Sequence, residues 1–156
     1  MPAQGPKTGH RMKLYYNSAT PASPTWVEVC EVGDVSISDL TRGMAELKRR
    51  CKDYTKNLAT LIQSISIEFR LHHGLNATVF DRIVADFFAA TPRQWAVMNG
   101  DITDEDNEGF VMPALIESFP WDQPLEDVSG HDVRLVIAYM LDGSSNEVDP
   151  EWLVVE

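Results

Sequence analysis

The sequence predicts a mainly β domain: a two-sheet β-sandwich or barrel with one flanking α-helix at about residues 77–90. Three observations carry this. Ile65, Ile67, Phe69 and Leu71 alternate with Ser64, Ser66, Glu68 and Arg70, the pattern of a strand with one face on the core and one wet. From Val79 the rhythm becomes helical, with Val79, Phe80, Ile83, Val84, Phe87 and Phe88 in one stripe. The other apolar runs are short, β-rich and broken by turn residues, giving roughly six or seven strands. One helix cannot cover both faces of a large sheet, so two antiparallel layers with the helix closing one flank is the economical arrangement.

The elements follow in order. Residues 1–24 are rich in Pro, Gly, Ser and Thr and are expected to be a flexible arm. "TWVEVCEVGDVSISDL" holds two short strands interrupted at Gly33-Asp34 by a turn or bulge. In residues 41–58, Met44, Leu47, Cys51, Tyr54 and Leu58 recur at helical spacing, but the segment is poor in strong apolar residues; on pattern alone it is a helix. Asn76 or Thr78 is expected to cap the confident helix, with Asp81 at capping-box spacing from Thr78, and Thr91-Pro92 stops it. "RQWAVMNG" is a strand and "DITDEDNEG" an acidic loop. "FVMPALIESF" is a strand in which Pro113 implies an edge or a bulge. "HDVRLVIAYML" is the clearest late strand, with Val133, Leu135, Ile137 and Tyr139 on one face; residues 142–156 are a turn and a tail.

The chain has 156 residues, enough for one domain with a core of its own. It contains no run of about 18 apolar residues, so no transmembrane helix is expected, and the N-terminal segment lacks the apolar stretch of a signal peptide. Both predict a cytoplasmic setting, in which Cys30 and Cys51 are reduced thiols. The net charge of −11 is unevenly spread. Residues 101–156 carry fifteen acids and one basic residue, Arg134, whereas residues 1–100 carry twelve basic residues and nine acids. A nucleic-acid clamp is excluded by repulsion from phosphate. The split is either a solvated acidic half or the mark of a bipolar protomer that associates head to tail.

No constellation points to catalysis, a cofactor or a metal. In "DEDNEG" Asp104, Asp106, Glu108 and Gly109 mimic a calcium loop, but Leu115 stands where the bidentate Glu belongs. His72 and His73 are neighbours that a strand would point apart, one capping and one on the surface. Ser129, His131 and Asp132 supply the types of a hydrolase triad, yet neighbours in one turn rarely converge. Trp26, Trp95, Trp121 and Trp152 are expected as core or interface anchors.

The order of elements says more. "DVSISDL" leads into a basic, polar excursion ending near Arg49-Arg50. "SISIEFRL", the helix "VFDRIVADFF", "QWAVMNG", an acidic gap, "EGFVMPALIESF" and "HDVRLVIAYM" follow. Over residues 25–141 this resembles the tail tube proteins of long-tailed bacteriophages and related prophage elements, and more distantly the tube of type VI secretion. The resemblance implies a tail-tube-like sandwich or barrel whose copies close hexameric rings. The rings stack into a hollow tube through which DNA passes without specific binding. It also implies that residues 41–58 form a strand and an extended stacking loop rather than a helix. The chain's partners would be itself, with tape-measure, sheath and terminator proteins, and no membrane. Its place would be the virion tail, assembled in the host cytoplasm. The stacking-loop candidates are Arg42, Lys48, Arg49, Arg50, Lys52 and Lys56, which would dock on the acidic half of the next ring. Ser64, Ser66 and Glu68, on the wet face of their strand, are the lumen-facing candidates. The competing classes are a monomeric or dimeric β-sandwich binding module and the tube of a type VI-like or tailocin injection device.

Overall fold

A computed structural model describes residues 12–38, 40–47, 56–62 (of 60–62 the backbone alone), 65–74 and 77–156. The strands are β1 (Lys13–Asn17), β2 (Trp26–Glu28), β3 (Val32–Ser38), β4 (Arg42–Leu47), β5 (Lys56–Ile62), β6 (Ser66–His72), β7 (Arg93–Met98), β8 (Glu108–Ser118), β9 (Trp121–Asp122), β10 (Gly130–Ile137) and β11 (Glu151–Val154); the helix α1 spans Ala77–Ala89. Nine strands make one antiparallel sheet in the order β2-β1-β7-β8-β10-β6-β3, with β11 added to β8 and β9 to β10. The strands β2 and β3 stand at opposite ends of that order, yet only residues 29–31 separate them in the chain. The segment therefore leaves one end of the sheet and joins the other, rolling it around a common core. The two expected layers are the two halves of this rolled sheet.

Alternation fills the core. Leu14 and Tyr16, Trp95, Phe110 and Met112, Ile67, Phe69 and Leu71, Val133 and Leu135 all point inward, and Val79 and Ile83 of α1 close the flank. The helix ends as its sequence requires. Ala90 adopts a left-handed φ of 50°, Ala90 N–H donates to Phe87 O, and Thr91 N–H donates to Asp86 O, a Schellman closure just before Pro92. Phe88 departs from the expected stripe and is 80% exposed. Thr78 lies inside the helix rather than at its cap, and Asn76 falls outside the described residues.

Four further expectations need correction. The arm assigned to residues 1–24 contains β1, which lies between β2 and β7 with Leu14, Tyr15, Tyr16 and Asn17 buried. The tail assigned to residues 142–156 contains β11, paired with β8 from Glu151↔Val111 to Val154↔Glu108. Its Leu153, with Val155, covers a second apolar cluster of Tyr15, Ala96, Met98 and Val111 on the outer face of the sheet. Residues 42–47 and 56–62 are strands, so the helical spacing there is coincidental; the strand that the resemblance implied is found. Pro113 sits within a central strand, not at a sheet edge. Its carbonyl accepts from Ala138 N–H at 3.0 Å, so its absent N–H faces the same side, where β11 has ended and β10 begins. No ladder bond to β7 is lost. The break at Gly33-Asp34 is a bulge, with the register shifting between Val32 and Val35.

Candidate assembly surfaces

The strands β4 and β5 form a hairpin of their own, a separate two-stranded sheet. Met44 pairs with Ala59 and Ala45 with Leu58, so Met44 and Leu58 project from opposite faces. Both are exposed, at 63% and 52%, and Leu40 at the hairpin's base is exposed too. Isolated two-stranded hairpins are marginal in water, and apolar side chains on both faces make this one a surface awaiting cover. Of the six basic residues in the stacking-loop set, Lys56 pairs with Leu47 beside residues 48–55, while Arg42 pairs with Ile62 at the other end of the hairpin, about 17 Å away along the strand. The hairpin thus does not bring those two together. Lys48, Arg49, Arg50 and Lys52 lie outside the described residues.

A second surface is the wet face of β3, β6, β10 and β8. Pairing aligns Ser36, Glu68, Arg134 and Ser118 in one row and Arg70 with Asp132 in the next. Arg134 lies between Glu117 at 3.1 Å and Glu68 at 3.5 Å. Arg70 bonds Asp132 at 3.1 Å, approaches Asp122 at 3.5 Å and donates to the Val128 carbonyl. The Asp132 hydrogen bond chiefly holds the Arg70 guanidinium still more firmly protonated. Asp34 shares the shallow depression over this face. Asp34, Glu68, Glu117, Asp122 and Asp132 outnumber Arg70 and Arg134, so the face is electronegative. Glu68 is exposed here as expected. Ser66 is not: it is 1% exposed, because its short side chain cannot clear the flanking Ser38 and Val136. Ser64 lies outside the described residues.

A third surface gathers acids from distant parts of the chain. The β7–β8 loop is joined to the C-terminal segment by Asp106 N–H to Val155 O and Val155 N–H to Asn107 O. Lys13 is held between Asp101 at 3.2 Å and Glu28 at 3.3 Å. Hydrogen bonds from Thr103 N–H and Oγ1, and then from Lys13, bring the Asp101 pKa down to about 2. The loop is therefore braced by its own side chains.

Sequence reasoning missed the link that orients α1 on the sheet. Arg93, at the start of β7, makes a two-pronged ion pair with Asp86 of α1 and donates to the Asn17 carbonyl at 2.9 Å. An Asp on the helix face shared with Val79 and Ile83 was the available signal. The triad types do not converge: Ser129 Oγ accepts from Trp121, His131 is buried, and Asp132 bonds Arg70. Trp95 is a core anchor, while Trp121 and Trp152 are exposed. Cys30 is an exposed free thiol; Cys51 falls outside the described residues. Among the described residues no group of three or more His, Cys, Asp or Glu side chains is placed to hold a metal ion, and no helix is long and apolar enough to cross a membrane.

Neither a family model nor a curated protein matches the sequence. Solved structures match the fold. The tail of an empty gene transfer agent particle, refined with C6 symmetry, aligns at TM-score 0.65 over 85% of this chain and 95% of its own, with 14% identity. The chain has the tail-tube fold. The SPP1 tail tube aligns at 0.63 over 96% of this chain and 81% of its own, with 12% identity. The sheath–tube complex of an extracellular contractile injection system, in its extended state, aligns at 0.63 over 96% and 93%, with 11% identity. Tail tubes of phage and of contractile injection systems are thus its structural neighbours. The mainly β architecture with one helix, expected from the order of elements, agrees with them.

Proposed function

We propose that this tail-tube-fold chain is the repeating subunit of a phage-type tail tube. Six copies close a ring, rings stack, and the bore conducts DNA. The observation that carries the reading is the uncovered hairpin. Met44 and Leu58 on opposite faces of a separate two-stranded sheet are matched to burial between neighbouring copies. The electronegative face of β3, β6, β10 and β8 supports a bore lining, with Glu68 as its lumen residue, since like charge lets a duplex slide rather than stick. The basic residues Lys48, Arg49, Arg50, Lys52 and Lys56 then meet the acidic surface of the next ring, a heterologous contact that requires two unlike patches per subunit. Sheath, tape-measure and terminator proteins would contact the finished tube in a virion tail built in the host cytoplasm. The match to a contractile injection system favours a second reading, a tube of that type, on the same assembly surfaces.

Electron microscopy and size-exclusion chromatography of the concentrated protein test the proposal. Rings or tubes are expected, and Met44→Glu with Leu58→Glu should leave folded single chains. Wild-type protein that stays a single compact particle at high concentration, or a double variant that still assembles, would overturn it.

A further inference from the structure

His73 follows β6 in the turn to α1, and His131 opens β10. Strand pairing brings them together: His131 is opposite Leu71, and His73 N–H donates to Ser129 O at 2.9 Å. Gly74, with φ 82°, then turns the chain towards the helix. The two rings meet nitrogen to nitrogen, His73 Nδ1 lying 3.1 Å from His131 Nε2. An aromatic box surrounds them. Phe119 stacks on His131 at 4.3 Å with the planes 3° apart, and Trp121 stacks on His73 at 4.9 Å. From α1, Phe80 meets His73 edge-on at 5.2 Å and His131 at 5.3 Å. The histidine pair is therefore the seat on which this part of the helix rests.

A bond between two imidazoles needs one nitrogen bearing a proton and one bare. When both rings are charged, each offers only a donor, and the bond becomes a repulsion between rings packed against aromatic side chains. His131 is 3% exposed. Burial, followed by the neighbouring His73 ring, pushes its pKa down, and its Nδ1 is buried with no hydrogen-bond partner among the described residues. The surrounding charges do not supply a counter-ion. Arg70 of β6 adds positive field at His131, while Asp132 of β10 and Asp122 of β9 are paired with Arg70. Asp127, in the β9–β10 connection, acts on Arg70 at longer range. The helix presents Phe80, and the β8 end presents Phe119.

We infer that the His73–His131 pair is a proton-operated clasp that holds α1 and the β8–β9 turn to the barrel and lets go in mild acid. The neutral ring is the favoured folded form, so the clasp's stabilisation is complete above the ordinary histidine value of 6.5 and is lost as pH falls through the lowered folded value. This is a property of the single chain and does not depend on assembly.

Amide hydrogen exchange of the full chain at pH 7.5 and pH 5.0, corrected for intrinsic rates, tests it. Exchange in residues 77–89 should quicken about tenfold at the lower pH while β7 stays protected. In His131→Phe, which keeps the stack on Phe119 but cannot charge, the helix should exchange alike at both values. Imidazole nitrogen NMR of the unmodified chain needs no variant and should show His131 titrating below 6.5. Equal helix protection at both pH values, equal loosening of helix and β7, or an ordinary His131 titration would each overturn the clasp.

Discussion

Asp86→Ala should be among the most damaging single changes in this chain. Asp86 is 6% exposed, and the side chain of its partner Arg93 is 11% exposed. Removing the carboxylate leaves a guanidinium in the gap between helix and sheet with the Asn17 carbonyl as its remaining hydrogen-bond acceptor. Breaking a buried ion pair by deleting one partner costs about 3–5 kcal/mol. The Tyr16 ring, 5.9 Å from the guanidinium carbon, and the Asn17 carbonyl remain as partners in the variant, which places the expected loss at the low end of that range, near ~3 kcal/mol. For a chain of this length that lowers Tm by roughly 6–12 °C. Urea unfolding followed by circular dichroism measures it, at a protein concentration low enough that association does not add to stability. Asp86→Ala combined with Arg93→Met removes both charges and should recover most of the loss, to within about 1 kcal/mol of wild type. A single-variant loss below about 1 kcal/mol, or a double variant as unstable as the single, would refute the clamp.

Gly109→Ala should cost about 1–3 kcal/mol in thermal melts, because its new methyl would collide with the Val97 carbonyl and lie 2.7 Å from Met98 Cα, prising β7 from β8; a wild-type melt would contradict that packing. The Asp101 carboxylate should stay ionised to about pH 2 by carbon NMR. With the folded pKa lowered, its contribution is present above the ordinary 3.8 and fades as pH falls towards 2, and Lys13→Met should move the midpoint up; a midpoint near 3.8 in the wild-type chain would deny the bracing. Reversing Lys48, Arg49 and Arg50 to Glu should block ring stacking with the circular dichroism unchanged, and tubes of normal length would remove those residues from the docking role.

The strands and helix that were legible are those whose two faces meet different media. In β6 and β10 the inner face is apolar and the outer polar, so Ile67, Phe69, Val133 and Leu135 announce themselves by period. The helix α1 does the same through Val79 and Ile83. Glu68 was correctly placed on the wet face, but Ser66, two residues earlier, is buried by its neighbours on β3 and β10, which no local pattern encodes.

What the sequence determined by itself is therefore the β class, the helix with its stop at Thr91-Pro92, an interruption at Gly33-Asp34 that the strand pairing then shows to be a bulge, and the concentration of acids after residue 100. These are local properties, set by side-chain periodicity, backbone restriction and charge. The tertiary structure alone decided the rest. The strand β1 shows no alternation because Leu14 and Tyr16 enter one apolar cluster and Tyr15 the other. The strand β11 exists only against β8, and β4 is a strand because β5 pairs with it. The Asp86–Arg93 clamp and the His73–His131 contact join residues that only the rolled sheet and the docked helix make neighbours. A strand buried on both faces, or stabilised by a partner far along the chain, takes its energy from contacts that its own residues do not spell out.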